Sequence, residues 1–120
     1  QEVFADWCAE ERERLGEIYM EMLSRKAECH ALRGEYEEAA QVCRKGLVHD
    51  PCRESFHCSL MQYLVHLGRS DWAITQFRHC QSVLAREFGV DPMPETQQLY
   101  QQILAEQNSG TRVKLPLARN

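Results

Sequence analysis

An all-α array of about five antiparallel helices is the fold class this sequence predicts, and three observations carry it. Apolar residues recur at three- and four-residue steps through five segments, the spacing that lines one face of a helix. No run of alternating β-branched residues stands between turn signals, so no strand is expected. A glycine-to-alanine step, Gly34 to Ala39, returns as Gly68 to Ala73 at an offset of 34 residues. Such an offset is too long for a heptad and too short for a domain duplication. It suits a stacked repeat whose unit is one supersecondary element.

The first segment carries Leu15, Ile18, Tyr19, Met22, Leu23 and Ala27 as an amphipathic stripe and is expected to run from about Asp6 to Arg33, where Gly34 stops it. After Gly34, the residues Tyr36, Ala39, Ala40, Cys43 and Leu47 share one helical face. That helix ends at His49-Asp50-Pro51, because a proline disfavours helix in the residue before it. The third segment uses Phe56, Leu60, Tyr63, Leu64 and Leu67 and closes on Gly68. In the fourth, Ala73, Phe77, Cys80 and Leu84 follow a Ser70 cap, and Gly89 with Pro92 ends it. A fifth starts at Pro94, a residue suited to the first helical turn, and uses Leu99, Tyr100, Ile103 and Leu104 before Asn108 and Gly110. One helical domain over residues 1–107 is therefore expected, with 108–120 as a flexible basic tail.

Composition narrows the function classes. With 120 residues, 43 % of them hydrophobic and 27 % charged, the chain can bury one core. No stretch approaches the length of apolar sequence that spans a bilayer, and QEVFADWCAEERER is acidic and amphipathic where a signal peptide is basic and then apolar. The net charge is −4, yet NSGTRVKLPLARN at the C-terminal end holds Arg112, Lys114 and Arg119 and no acid, which leaves the body at −7. An acidic body repels phosphate backbones, so direct nucleic-acid binding by this chain is not expected. Cys8, Cys29, Cys43, Cys52, Cys58 and Cys80 fall mostly inside helical patterns, several on or beside the apolar face, where a thiol acts as a small hydrophobe. Reduced thiols and a cytoplasmic location are the expectation. The nearest approach to a metal set is Cys52, His57 and Cys58, but C-x-x-C and paired Cys/His spacings are missing, so neither metal nor cofactor is expected.

Each unit is a helix, a glycine-led turn and a second helix, and the small residue five positions after the glycine falls where the two helices cross. Ala39 and Ala73 are small there because a larger side chain would push the axes apart. With Cys43 and Phe77 one turn on and Asp50-Pro51 closing the first unit, this resembles the tetratricopeptide repeat, and implies a short right-handed solenoid. The match is good in the second helix of the first unit and looser in the second unit, where Ser70 stands at the place of Tyr36.

A wider set of motifs closely resembles the bacterial transcriptional activator domain family. Those motifs are Asp6-Trp7, Glu13-Arg14-Leu15, Asp50-Pro51 with Glu54 and His57, Leu60-Met61, Gly68-Arg69, Leu84 with Glu87, Gly89, Val90 and Pro92, and Glu95-Thr96 with Leu99-Tyr100. No single motif is specific; their order and spacing are. The resemblance implies a tetratricopeptide-like helical domain that in family members usually follows a winged-helix DNA-binding domain, as in the antibiotic regulatory proteins. There it contributes to oligomerisation, protein contacts and activation. The departures are the many cysteines, Ser70, and Trp72 where the first unit has Glu38.

Projected onto the chain, repeat spacing places Ser24, Glu28, Ala31 and Leu32 with Cys58, Gln62, Val65 and His66 on the concave face, where such arrays commonly bind peptides. That face lacks the Lys, Arg and Asn of a carboxylate clamp. Two full units and a terminal helix fall short of three repeats, so the ends of the stack, near Phe4 and Trp7 and near Tyr100 and Ile103, are expected to lack cover. Trp7 and Trp72 suit either an interface or helix packing. His30 and His66 have no carboxylate or nucleophile at a motif spacing, and no catalysis is read. The expected function is a non-enzymatic regulatory domain that binds protein, whether a second copy in a homodimer, a neighbouring domain or the transcription machinery. A generic helical-repeat adaptor of a multidomain signalling protein is the alternative.

Overall fold

The structure, a computed structural model, describes residues 2–109. Five helices follow in order: α1 (Glu2–Leu32), α2 (Tyr36–His49), α3 (Glu54–His66), α4 (Ser70–Phe88) and α5 (Pro94–Ser109). No strand occurs among the described residues. Each helix packs on the next, and α5 also touches α3, as expected of a helical repeat array. The shortest of the three extents, 61 × 35 × 19 Å, matches about two helix diameters, so the stack is two layers thick.

The repeat is plainest in its turns. Gly34 at φ +78° and Gly68 at φ +77° take the left-handed conformation that costs a glycine nothing and most residues about 1 kcal/mol or more. In the first turn the Gly34 N–H donates to the Ala31 carbonyl at 2.9 Å and the Glu35 N–H to the His30 carbonyl at 2.8 Å. In the second, the Gly68 N–H reaches the Val65 carbonyl at 2.9 Å and the Arg69 N–H the Leu64 carbonyl at 2.8 Å. One Schellman closure is thus built twice, 34 residues apart, and it satisfies carbonyls that a helix end leaves open. His30 Nδ1 also meets Glu35 Oε1 at 2.7 Å across the first turn.

Beyond the turns the two units bury the same places. Ala39 and Ala73 have no accessible surface, and Cys43 and Phe77 lie buried one turn on. On the first helix of each unit, Ala27 matches Met61 and Ala31 matches Val65, all four buried in one continuous core. Gly46 falls outside the repeated glycine-to-alanine step. A Cβ there would meet ring carbons of buried Phe56 at 2.8, 3.0 and 3.1 Å, so this glycine lets α2 and α3 approach.

Several expectations are corrected. Helix α1 starts at Glu2, ahead of Asp6, and no residue before Met20 is buried in it. Of the stripe read from its sequence, only Leu23 and Ala27 face the core; Leu15, Ile18, Tyr19 and Met22 are exposed. The core face is Met20, Leu23, Ala27 and Ala31. Two apolar stripes run on opposite sides of α1, and periodicity alone cannot say which one meets the neighbouring helix. Ser70 is not a cap: Arg69 holds the cap position, without a side-chain cap bond. Ile103 is fully buried and Tyr100 half-buried, its ring stacked on Phe77 at 3.9 Å, so the face of α5 expected to lie open is the one that docks. Only Cys43 and Cys80 of the six thiols are buried. Helix α5 runs to Ser109, past the expected boundary, and the rest of the expected basic tail lies outside the described residues.

Ala39→Arg or Ala73→Arg should lower the unfolding free energy by about 2 kcal/mol or more in urea titrations, since each forces a charge into a helix crossing. Gly46→Ala should destabilise by about 1–3 kcal/mol through the clash with Phe56, outweighing the gain in helix propensity. Unchanged midpoints would contradict the crossings described above.

Candidate interaction surfaces

The concave residues named from repeat spacing divide in the structure. Ala31 and Val65 are buried in the core. The Sγ of Cys58 lies 3.1 Å from the Thr96 hydroxyl, and the His66 ring stacks on Tyr36 at 4.6 Å with 7° between planes. Those two side chains are committed within the chain. Ser24, Glu28 and Gln62 are half-buried and Leu32 exposed, a small remainder for a peptide groove. Glu28 contributes instead to the electrostatics of buried Tyr63, whose hydroxyl is pushed up to about 12, first by burial and then by Cys43 and Glu28 nearby.

The motif DPCRESFH gathers the densest polar network. Asp50 accepts from the Cys52 N–H at 3.3 Å and from Arg53 Nε at 3.2 Å, while Arg53 Nη2 reaches Glu17 of α1 at 2.8 Å. One arginine therefore ties the α2–α3 turn to the first helix. Glu54 Oε2 accepts from the Met93 N–H at 2.6 Å and the Thr96 hydroxyl at 2.5 Å. That places a carboxylate over the first turn of α5, where open N–H groups and the helix dipole favour it.

His57, one turn further, has no accessible surface. Its Nε2 donates to the Pro51 carbonyl at 2.8 Å, and its Nδ1 accepts from Gln76 Nε2 at 2.9 Å. Both nitrogens are used by the neutral ring, and burial holds the pKa below the ordinary 6.5, helped by His79 nearby. A ring with both nitrogens engaged in the core has no free position for proton transfer to a substrate. Four of the thiols are equally poor nucleophiles: burial pushes Cys43 and Cys80 up to about 12 and raises Cys52 and Cys58. No group of three or more His, Cys, Asp or Glu among the described residues is arranged to hold a metal ion.

The exposed apolar residues are concentrated elsewhere. Eight of the thirteen large exposed hydrophobics among the described residues lie on α1: Val3, Phe4, Trp7, Leu15, Ile18, Tyr19, Met22 and Leu32. Phe4 and Trp7, named from the sequence as end-surface residues, are 65 % and 56 % exposed and stack on each other at 6.3 Å. Tyr19 makes an edge contact with His49 at 5.2 Å, where α2 ends against α1. Trp72 is a separate spot on α4, its ring covered by the Arg69 guanidinium 3.3 Å above the centroid.

The family model of the bacterial transcriptional activator domain matches residues 1–104. The chain belongs to that family. It is similar to the regulatory protein AfsR of Streptomyces coelicolor, 33 % identical over 94 residues that make up 78 % of this chain and 10 % of that protein. The chain thus spans about a tenth of the length of that relative. No solved structure matches. Membership in the bacterial transcriptional activator domain family supports a regulatory role. Within this bacterial transcriptional activator domain, Asp50, Glu54 and His57 each hold one part of the array to another. No helix among the described residues is long and apolar enough to cross a membrane.

Two outcomes follow for the network. Glu54→Ala should cost about 1–2 kcal/mol and raise amide exchange in the first turns of α5, read by hydrogen exchange. For His57, the unfolded ring takes a proton below about pH 6.5 while the folded ring resists it, so the contribution to stability is complete above that pH and falls as pH drops below it. The melting temperature should therefore decline on acidification from pH 6.5, and His57→Gln should show a shallower decline over the same window.

Proposed function

We propose that the chain is a regulatory protein-binding module of a bacterial transcription activator and performs no chemistry of its own. The observation that carries this reading is the outward face of α1, where most of the large exposed apolar residues of the described chain are collected. Exposed apolar surface gathered on one element marks a place where protein docks. Against the alternative of a catalytic centre, His57 is buried with both ring nitrogens engaged, and burial raises the thiols of Cys43, Cys52, Cys58 and Cys80. A net charge of −4 argues against direct contact with DNA, which then falls to another part of a regulator. The setting of such a module is the cytoplasm.

In this reading the protein acts by contact. Joined to a heterologous DNA-binding domain, the chain should raise transcription from a reporter carrying that domain's site. Leu15→Glu with Met22→Glu should abolish the rise while leaving the circular dichroism spectrum and melting temperature within experimental error, because both positions face solvent. The chain alone should give no mobility shift with duplex DNA at physiological salt. A tight, salt-sensitive shift, or a reporter indifferent to the two substitutions, would overturn the proposal.

A further inference from the structure

The two lysines of the described chain stand on neighbouring helices and line the same cleft. Lys26 comes from α1, Arg44 and Lys45 from α2, and between them lie Leu23, Val42 and Val48, in a cleft of about 440 Å³ with no acid in its lining. Leu23 and Val42 are buried, while Lys26, Lys45 and Val48 are exposed. Five arginines of the described chain each meet a carboxylate; among the described residues, none of these three cations does. The dipole of α2 does not account for the gathering, since Arg44 and Lys45 lie before the last turn of that helix and Lys26 is on another. The acids of α2, Glu37 and Glu38, are in its first turn. In a chain of net charge −4, the cleft is a local reversal of sign.

The repeat shows what such a place accommodates. Thirty-four residues on from Leu23 and Lys26 stand His57 and Leu60, 0 % and 1 % exposed, with α2 packed along α3 and the Pro51 carbonyl bonded to His57. Among the described helices α1 packs chiefly on α2, and Lys26, in the place of buried Leu60, is left exposed. We propose that this cleft is a docking site for an acidic amphipathic helix of another protein, a second contact surface that lies beside the apolar face of α1 and is built from α1 and α2 together. Apolar side chains one turn apart on that helix rest on Leu23, Val42 and Val48, and the carboxylates that flank them meet Lys26, Arg44 and Lys45. The Arg44 guanidinium can take a carboxylate through two parallel N–H bonds, and the lysines act as point charges. Nucleic acid fits less well. Three cations neutralise few phosphates, an apolar floor does nothing for a sugar–phosphate backbone, and no aromatic ring in the lining offers a base a stacking platform.

Selection from a phage-displayed library of random peptides of about sixteen residues, roughly four turns of helix, tests the occupant. Enriched clones should carry an excess of Asp and Glu beside apolar residues at three- and four-residue spacing. The leading clone, made as a labelled peptide and followed by fluorescence anisotropy, should bind the Lys26→Glu, Lys45→Glu double variant at least about tenfold more weakly than the wild type. Its affinity for the wild type should fall as salt rises. A counterpart peptide with lysine for each acid should bind the double variant better than it binds the wild type, a rescue that a misfolded variant could not give. Both positions are exposed, so circular dichroism should find the helices intact. Leu15→Glu, about three turns along α1 from Lys26, should bind the acidic peptide as the wild type does, so the cleft and the apolar face of α1 can fail separately. An absence of enriched clones, clones without an acidic excess, equal binding by the double variant, or displacement of the peptide by duplex DNA or single-stranded RNA would each overturn the proposal.

Discussion

The array depends on how closely its helices can cross, and two alanines without accessible surface set that distance. Ala39 and Ala73 let the second helix of each unit lie directly on the first, which buries the residues one turn on, Cys43 and Phe77. Gly46 does the same between units, with Phe56 filling the space a side chain would take. Once these approaches are fixed, the remaining core positions have little freedom in size, since interiors are packed near crystal density. The turns at Gly34 and Gly68 deliver the chain to each crossing in the same direction, and the repeat is as much a repeat of turns as of helices.

The polar residues between the units serve the same architecture. Arg53 reaches back to α1 through Glu17, Glu54 reaches forward to the start of α5, and His57 spans from Pro51 to Gln76 of α4. Five residues of sequence thus reach the first, fourth and fifth helices and the turn after the second. Such a junction explains why a motif rich in acid, base and imidazole can be free of catalytic purpose: each group spends its hydrogen-bonding capacity on a neighbouring element.

Most of this fold was legible in the sequence because the repeat is local. Glycines at helix ends, small residues at crossings and a proline after the second helix act within a few positions of where they stand, and the apolar residues expected in α2, α3 and α4 are buried or half-buried, while the Ser70 cap is not formed. Helix α1 was harder. Its two opposed stripes look equally apolar, and only the short length of α2, which ends beside Tyr19, decides which residues find a partner. Ile103 departs from expectation for a related reason: a last helix without a following one can still bury its inner face, and α5 does so against α3 and α4. Of the candidate site, Phe4 and Trp7 could be named from their place near one end of the stack. The concave positions could not be sorted, because the stacking of His66 on Tyr36 and the reach of Cys58 to Thr96 are contacts across helices that no spacing reveals.

The reach of α1 beyond α2 has a mechanical side. Its C-terminal half is gripped by the core, while the residues before Met20 have no buried member, yet the helix is continuous from Glu2 to Leu32. A rigid rod clamped at one end is a lever. The free arm, the seventeen residues before Tyr19 where α2 ends, is about 25 Å long, so a tilt of about 10° at the clamp carries its tip through roughly 4 Å. Arg53, bonded to Glu17 near the fulcrum, sits where a small displacement of the α2–α3 turn would be felt first. Whatever packs on the tip and whatever packs on the repeat stack are therefore linked through one stiff element, held by the core from Met20 onward and braced at Glu17 by Arg53.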